Sequence, residues 1–226
     1  MLSFFLNNAA KNTVLIISFL TIIMLNSSCS YDRGVITDSN GIEKRGYIRF
    51  SECHDRYVED DNKFFTEFKD SEFSGWKKIY NRDIKSIRKN EEIFVFIDLK
   101  KIPEESERDL KIPVRLIVSG NYSLYSYCSV RYMNTMISSK RFNLNVYLLS
   151  ENKGESFSVI PHSPEEFRIF SAEHFSSCPE LVKYIQNRKF VKKIENPIPG
   201  NITEYEFVDE KEIIEFVKKY NQCAKS

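Results

Sequence analysis

Few residues in this sequence combine the types and the spacing that catalysis needs. The tripeptide Cys53-His54-Asp55 offers a nucleophile, a base and an orienting carboxylate in consecutive positions. Consecutive side chains of a strand point to opposite faces, whereas the members of a catalytic triad are brought together from distant segments. We therefore expect Cys53 to form a disulfide and the two polar residues after it to be exposed.

The other candidate bases and ligands also lack the spacing of known sites. His162 and His174 share no helix face and do not match the His-Glu-x-x-His pattern. The acidic run Glu59-Asp60-Asp61 lacks the central glycine of a calcium loop, and we expect it to be a solvated turn. No nucleophile elbow, phosphate loop or dinucleotide fingerprint occurs in the sequence. The sequence therefore predicts no catalytic residue, no metal site and no cofactor.

Aromatic residues offer a different kind of site. A group of them on candidate strands could form a stacking platform for a glycan or a peptide: Trp76, Tyr122, Tyr125, Tyr127, Tyr132 and Tyr147. Strand aromatics are more often core residues or cross-strand pairs, and we expect that role for most of them.

Charge and composition exclude a further class of function. The 33 basic and 32 acidic residues nearly cancel, so no net positive field attracts a nucleic acid. The chain is 42% apolar and 14% aromatic, which is enough to build a packed core in 226 residues. We expect a folded protein with no nucleic-acid partner.

The N-terminal segment predicts export. Lys11 precedes an apolar run over residues 14–25, and small polar residues follow at 26–28. This layout is typical of a secretory signal peptide, and the run is shorter than the about 20 apolar residues of a transmembrane helix. We expect residues 1–28 to be removed, which leaves 32 basic and 32 acidic residues in a formally neutral mature chain.

The end of this segment indicates a lipid anchor. Leu25-Asn26-Ser27-Ser28-Cys29 resembles a bacterial lipobox, whose cysteine is diacylated and becomes the first residue. The resemblance implies a membrane anchor through a diacylglyceryl group on Cys29, since two acyl chains give stable anchoring. Residues 29–43 are then a lipidated N-terminus and polar tether. Residues 30–33 lack the acidic cluster that resembles a surface-export signal, so we expect an outer-membrane lipoprotein that faces the periplasm.

The number of cysteines agrees with lipidation. Five is an odd number for an exported protein, and a lipidated Cys29 leaves four cysteines for disulfide bonds. These four allow three connectivities, between which their positions do not choose: Cys53, Cys128, Cys178 and Cys223. No two of them have the short spacing of a zinc site, and the export compartment favours oxidation.

Residues 44–160 are expected to form the strands of one domain. Short aromatic and β-branched runs, bounded by charged or turn residues, recur along this segment. The clearest pair lies within residues 113–127, where we expect Gly120 and Asn121 to supply positive φ in a tight turn. Lys153-Gly154 predicts a second turn. We expect six to eight short strands, mostly antiparallel.

Residues 163–223 carry helical signals instead. Ser163-Pro164-Glu165-Glu166 and Ser177-Cys178-Pro179-Glu180 have the order of N-terminal capping boxes. Asp209 and Glu212 are expected to cap a third helix, after a loop that contains Pro197, Pro199 and Gly200. Strands followed by helices predict one α+β domain over residues 44–223, in which a cap of about three helices covers an antiparallel sheet.

Three motifs occur in a particular order along this domain. They are the glycine-turn hairpin of residues 118–125, the helix start Ser177-Cys178-Pro179-Glu180-Leu181, and the terminal Tyr220-Asn221-Gln222-Cys223. Together they resemble a family of uncharacterised exported proteins and lipoproteins of Bacteroidetes, which has no established activity. The resemblance implies that Cys178 pairs with Cys223 across the helical cap, and that Cys53 then pairs with Cys128.

These expectations favour a non-enzymatic protein. We expect a membrane-anchored lipoprotein whose domain is a binding or assembly module of the cell envelope, with an envelope protein as its candidate partner. The alternative is an envelope hydrolase whose site is assembled from scattered histidine, aspartate, glutamate and serine residues. The sequence predicts no particular oligomeric state.

Overall fold

The computed structural model describes residues 32–55, 64–103, 110–134, 139–151, 154–195 and 202–223. The predicted signal peptide, Cys29 and the acidic run at 59–61 lie outside these residues, as do Lys153, Pro197, Pro199 and Gly200. A sheet is followed along the chain by three helices, so the predicted α+β class with a helical cap is confirmed. None of the helices in the described ranges has the length and apolar character needed to cross a membrane.

The main sheet has more strands than the six to eight predicted. Its strands are β1 (Asp32–Asp38), β2 (Glu43–Arg49), β3 (Cys53–Asp55), β4 (Phe65–Lys69), β5 (Lys77–Tyr80), β6 (Ile84–Lys89), β7 (Glu92–Asp98), β8 (Lys111–Val118), β9 (Tyr122–Asn134), β10 (Ser139–Glu151) and β11 (Ser158–Ile160). Their order is β11-β10-β9-β8-β7-β6-β1-β2-β4-β5. All of these neighbours whose register is defined are antiparallel, except that β3 pairs in parallel with β9.

Strand β1 lies inside the segment predicted to be a tether, so that prediction is wrong from residue 32 onward. β1 pairs with β6 and buries Ile36, which is 1% exposed. Asp38 closes the turn that follows, because its carboxylate accepts hydrogen bonds from the N–H groups of Asn40 and Ile42. The segment resembles a tether in composition because Ile36 is its single buried residue, while the other six, three of them charged, are partly or fully exposed.

The strands β1, β2, β4 and β5 curl back toward the start of β8. Asn81 follows β5, and its N–H donates to the carbonyl oxygen of Phe64 while its side-chain amide donates to the carbonyl oxygen of Lys111. A core fills the inside of this curl: Ile36, Ile48, Phe68, Ile84, Ile87, Phe94 and Phe96. The outer face of the same strands carries charged and aromatic side chains instead, because side chains alternate along a strand.

The β9–β10 hairpin forms the longest ladder of the sheet, with 13 residues in each strand. β8 pairs with the first part of β9, and β3 occupies the same edge of β9 farther along. There Cys53 lies directly opposite Cys128, and the two are joined by a disulfide.

Three helices cover β8, β9 and β10: α1 (Pro164–His174), α2 (Pro179–Asn187) and α3 (Glu210–Cys223). A disulfide between Cys178 and Cys223 joins the residue before α2 to the end of α3, with Cα atoms 6.0 Å apart. A two-stranded hairpin, β12 (Val191–Glu195) and β13 (Ile202–Glu206), stands between α2 and α3, where the sequence predicted only a loop. Both disulfide pairings implied by the family resemblance, Cys178 with Cys223 and Cys53 with Cys128, are present.

The predicted helix starts hold, but not all of their caps. At α3 the Asp209 carboxylate accepts from the N–H of Glu212 at 2.9 Å, and the Glu212 carboxylate accepts from the N–H of Asp209 at 3.3 Å. This reciprocal pair is the predicted capping box. At α1 and α2 the prolines occupy the first turn, yet Ser163 makes no capping hydrogen bond through its side chain. At α2 the N-cap residue is Cys178, and the predicted capping hydroxyl of Ser177 is instead hydrogen-bonded to the Tyr220 hydroxyl at 2.8 Å.

Gly120 is needed for a reason other than the positive φ that the sequence predicted. Among the described residues, positive φ occurs at Asn90, Gly41 and Gly154 only. A Cβ atom on Gly120 would lie 2.6 Å from the side chain of Asn221. That side chain binds both backbone groups of Tyr122, accepting from its N–H at 2.9 Å and donating to its carbonyl oxygen at 2.8 Å. Gly120 therefore leaves room for a clamp between α3 and the β8–β9 turn.

Candidate functional site

The outer face of β1, β2 and β4 carries an alternating stack of cations and aromatic rings, which we call the cation–aromatic ladder. Its members in order are Arg33, Tyr47, Lys69, Trp76 and Arg49. The Arg33 guanidinium lies 5.3 Å and the Lys69 ammonium 5.0 Å from the centre of the Tyr47 ring. Lys69 also lies 5.1 Å from the Trp76 ring, over which the Arg49 guanidinium lies at 4.8 Å. Each ring is thus flanked by two cations, a geometry that attracts the ring face to the charge.

The strand register explains why these residues meet. Tyr47 of β2 lies opposite Lys69 of β4, and Val35 of β1 lies opposite Arg88 of β6. Ile36 and Ile48 point into the core, so the residues before them in the sequence, Val35 and Tyr47, point outward. The sequence did not predict this site, because its charged residues become neighbours only through the strand order.

One end of the ladder opens into a groove of about 820 Å³, which we call the arginine groove. Six of its lining side chains define it: Arg33, Arg45, Tyr47, Glu72, Phe73 and Arg88. Phe73 stands in the β4–β5 loop with 98% of its surface exposed, so it contributes almost nothing to the core. A fully exposed phenylalanine beside three arginines combines an apolar contact with positive charge.

The charges of the arginine groove are unevenly paired. The Tyr47 hydroxyl donates to Glu72 at 2.6 Å and accepts from the Arg33 guanidinium at 2.9 Å. The hydrogen bond from Arg33 to Tyr47, together with the electrostatic interaction between these two groups, raises the pKa of Arg33 above its ordinary value. Asp70, the other carboxylate of the groove, forms an ion pair of 2.8 Å with Lys77.

Two arginines of the groove have charges that are weakly paired or unpaired among the described residues. Arg88 reaches Glu43 only at 3.9 Å, and Arg45 has no ion-pair partner among the described residues. Guanidinium groups bind carboxylates and phosphates through paired N–H donors, so this arrangement suits an anionic group. Among the described residues that line the groove, no nucleophile is paired with a base.

A second concave region lies around His162, between β10, α1 and the start of α3. It consists of two adjoining cavities of about 480 and 360 Å³ that share His162, Leu144 and Asn145. Nδ1 of His162 lies 3.0 Å from the carbonyl oxygen of Val208 and Nε2 lies 3.4 Å from that of Asn145. Because both ring nitrogens face backbone oxygens, His162 ties segments of the fold together.

A polar group of Tyr147, Glu210 and Arg115 lies beside this region, and only Tyr147 is buried in it. The Tyr147 hydroxyl faces Glu210, whose carboxylate accepts a hydrogen bond from Arg115 at 3.4 Å. Burial, followed by the negative charge and hydrogen bond of Glu210, raises the pKa of Tyr147 to about 12. The hydroxyl is therefore held protonated at neutral pH and acts as a structural hydrogen-bond donor.

The two histidines whose side chains the structure describes, His162 and His174, lie in different places. His162 contacts Phe207 at the second region, whereas His174 packs against Phe170 at the end of α1. The position of the His54 side chain lies outside the described set. Within the described part of the chain, no three histidine, cysteine or acidic side chains cluster as metal ligands.

The aromatic platform considered from the sequence is divided between two places. Tyr125, Tyr127 and Tyr147 are buried in the cores on the two faces of β9 and β10, and Tyr122 packs on Tyr220. Trp76 belongs to the cation–aromatic ladder. The site residues that the sequence missed, Arg33, Arg45 and Arg88, carry no local signal in the residues around them.

Comparison with known proteins identifies no relative of this chain, since no family model, no curated protein and no solved structure matches it.

Proposed function

We propose that this protein is a lipid-anchored lipoprotein of the bacterial cell envelope whose domain is a non-enzymatic binding module. The observation that supports a binding role is the arginine groove, in which Arg45 has no ion-pair partner among the described residues and Phe73 is 98% exposed. An exposed apolar side chain and an unpaired charge can both be contacted directly by a ligand. Exposed apolar surface of this kind marks contact sites. The groove is accordingly the ligand-binding surface of the module.

The anchor in this proposal is the diacylglyceryl group on Cys29, attached after removal of residues 1–28. The support is the lipobox-like sequence before Cys29 and the even number of cysteines that remain, all four of which are paired in disulfides. An outer-membrane location facing the periplasm agrees with disulfide bonds, which form in oxidising compartments.

The anchor is tested by expressing the full chain in a bacterium that processes lipoproteins, with labelled palmitate in the medium. We expect the wild-type protein to take up label and to have the intact mass of a diacylated chain that begins at Cys29. Cys29→Ser should lose the label, and the matched variant Cys223→Ser, which also removes one cysteine, should keep it. A mature chain that begins at unmodified Ser30, or one that retains Met1, would contradict the proposal.

A further inference from the structure

We propose that the arginine groove is the surface through which the domain rests on the phosphate groups of anionic phospholipids in its own membrane. This inference rests on the proposed lipid anchor and adds to it a second, electrostatic contact with a defined orientation. The occupant is the lipid headgroup layer, and the contacts are guanidinium to phosphate together with one inserted aromatic ring.

The first support is the position of the groove along the chain. Arg33 is the second residue of β1 and lines the groove, and Cys29 precedes it by four positions in the sequence. A fully extended chain covers at most about 3.6 Å per residue, so four steps reach about 14 Å. An anchor at Cys29 therefore keeps Arg33 within about 14 Å of the anchored residue, so the groove stays close to the membrane surface.

The second support is charge. Arg45 has no ion-pair partner in the described ranges, and Arg88 reaches Glu43 only at 3.9 Å. The two carboxylates of the groove are already bound, Glu72 by Tyr47 and Asp70 by Lys77. The mature chain as a whole is formally neutral, so the attraction to an anionic surface is local to this face.

The third support is the combination of Phe73 with its neighbours. An aromatic side chain that is 98% exposed is costly in water but favourable at a membrane interface, where aromatic rings sit at headgroup level. Trp76 follows it by three positions and lies in the adjoining cation–aromatic ladder, on the other side of Lys69 from Tyr47. Basic and aromatic side chains at one surface form the pattern of an interfacial contact.

Trp76 is the only tryptophan of the chain, so its fluorescence reports on this face alone. The full lipoprotein is reconstituted into vesicles of phosphatidylcholine, with or without phosphatidylglycerol, in which the acyl chains are brominated and quench nearby tryptophan. We expect strong quenching when phosphatidylglycerol is present, weak quenching in phosphatidylcholine alone, and loss of the difference at high salt.

Groove variants make the test specific. Each of Arg45→Gln and Arg88→Gln should lower the ratio of docked to undocked protein about fivefold, since each basic residue near an anionic surface contributes a similar factor. Phe73→Ser should also reduce quenching. The control Lys183→Gln/Lys211→Gln/Lys218→Gln removes three exposed charges on α2 and α3, and it should quench like the wild type.

The outcomes separate this inference from the anchor. Protein that floats with phosphatidylcholine vesicles but shows no added quenching with phosphatidylglycerol keeps its anchor and overturns the docking inference. An equal loss of quenching in the lysine control also overturns it, because charge alone would then be responsible. Inorganic phosphate that abolishes the quenching at matched ionic strength would show a soluble-anion site instead. Protein that does not float with either vesicle contradicts the proposed function itself.

Discussion

At the scale of single residues, the exposed charges of the arginine groove contribute little to the stability of the fold. Ion pairs such as that between Arg88 and Glu43 are more than half exposed, and water and salt screen such pairs. Arg45 lacks even an exposed partner among the described residues. Since stability does not require these guanidinium groups, they can be changed to test binding without unfolding the domain.

Gly120 and Asn221 form a residue pair whose coupling can be measured. Gly120→Ala places a methyl group 2.6 Å from the Asn221 side chain, and we expect it to lower the free energy of unfolding by about 1–3 kcal/mol. Asn221→Ala removes both hydrogen bonds to the Tyr122 backbone and should cost about 1–3 kcal/mol. Urea denaturation of each variant measures these changes.

The double variant decides whether the two residues act through the same contact. Alanine at position 221 removes the atoms with which the new methyl group collides, so the double variant should lose about 0.5–3 kcal/mol less than the two single losses together. If the losses add within about 0.5 kcal/mol, the close approach of Gly120 and Asn221 is not what requires glycine there.

Tyr147 predicts a specific dependence of stability on alkaline pH. Its pKa in the folded protein is raised to about 12, above the about 10 of an unfolded chain. Because the pKa is higher in the folded state, the protonated Tyr147 hydroxyl stabilises the fold fully below about pH 10. This contribution to the free energy of unfolding is lost as the pH rises toward 12. Tyr147→Phe should therefore be about 1 kcal/mol less stable than the wild type at neutral pH, because the interaction of the hydroxyl with Glu210 is lost, with a smaller deficit above pH 10.

Thermal or urea unfolding at several pH values measures this difference. Other tyrosines titrate in both proteins and cancel in the comparison. A stability deficit of Tyr147→Phe that stays constant from neutral to strongly alkaline pH would contradict a raised pKa of Tyr147.

At the scale of elements, β1 is the strand whose membership in the fold is most easily tested. Ile36→Ala should cost about 2–4 kcal/mol, because the 1% exposed side chain packs inside the curl and leaves a cavity. Thr37→Ala, at the next position on the outer face, should cost less than about 1 kcal/mol. Equal and small effects in equilibrium denaturation would mean that this segment is a tether after all.

The elements also show which parts of the fold the sequence could predict. The β8–β9 pair and the three helices were predictable, because turn residues, prolines and helical spacing are local signals. β1 was not, because Ile36 is its single fully buried residue and the rest of the strand is polar or partly exposed. The helical cap was also expected to lack the β12–β13 hairpin, whose short strands flank a proline-rich segment.

The candidate site could not be predicted for a different physical reason. Arg33 and Arg45 lie on adjacent strands, but Arg88 joins them because β6 pairs with β1 across a long stretch of chain. Nothing in the residues around Arg88 specifies that pairing. The disulfides were accessible from the sequence only through the family resemblance, since four cysteines by themselves allow three connectivities.

At the scale of the whole molecule, each of the two disulfides lies within a different layer, one in the sheet and one in the helical cap. Cys53–Cys128 ties an early segment to the middle of the sheet, and Cys178–Cys223 ties the helical cap to itself. The second bond closes a loop of 45 residues, which corresponds to about 4 kcal/mol in the chain-entropy model. We expect Cys178→Ser/Cys223→Ser to lower the free energy of unfolding by about 2–4 kcal/mol.

Urea denaturation under oxidising and reducing conditions measures the contribution of this bond. The variant should be less stable than the wild type only while the disulfides are intact, and full reduction should bring the two proteins close together. A variant as stable as the oxidised wild type would show that Cys178 and Cys223 are not bonded in the folded protein.

The order of the disulfides along the chain affects how the protein can be made. Cys53 pairs with the next bonding cysteine, Cys128, and Cys178 pairs with the one after it, Cys223. A polypeptide that enters an oxidising compartment from its N-terminus exposes its thiols in this same sequence. An oxidase that joins each newly arrived cysteine to the one still free produces the native connectivity directly, and no bond has to be broken and reshuffled afterward. With export and lipidation of Cys29 as proposed above, biosynthesis of this protein should therefore depend on a thiol oxidase and not on a disulfide isomerase.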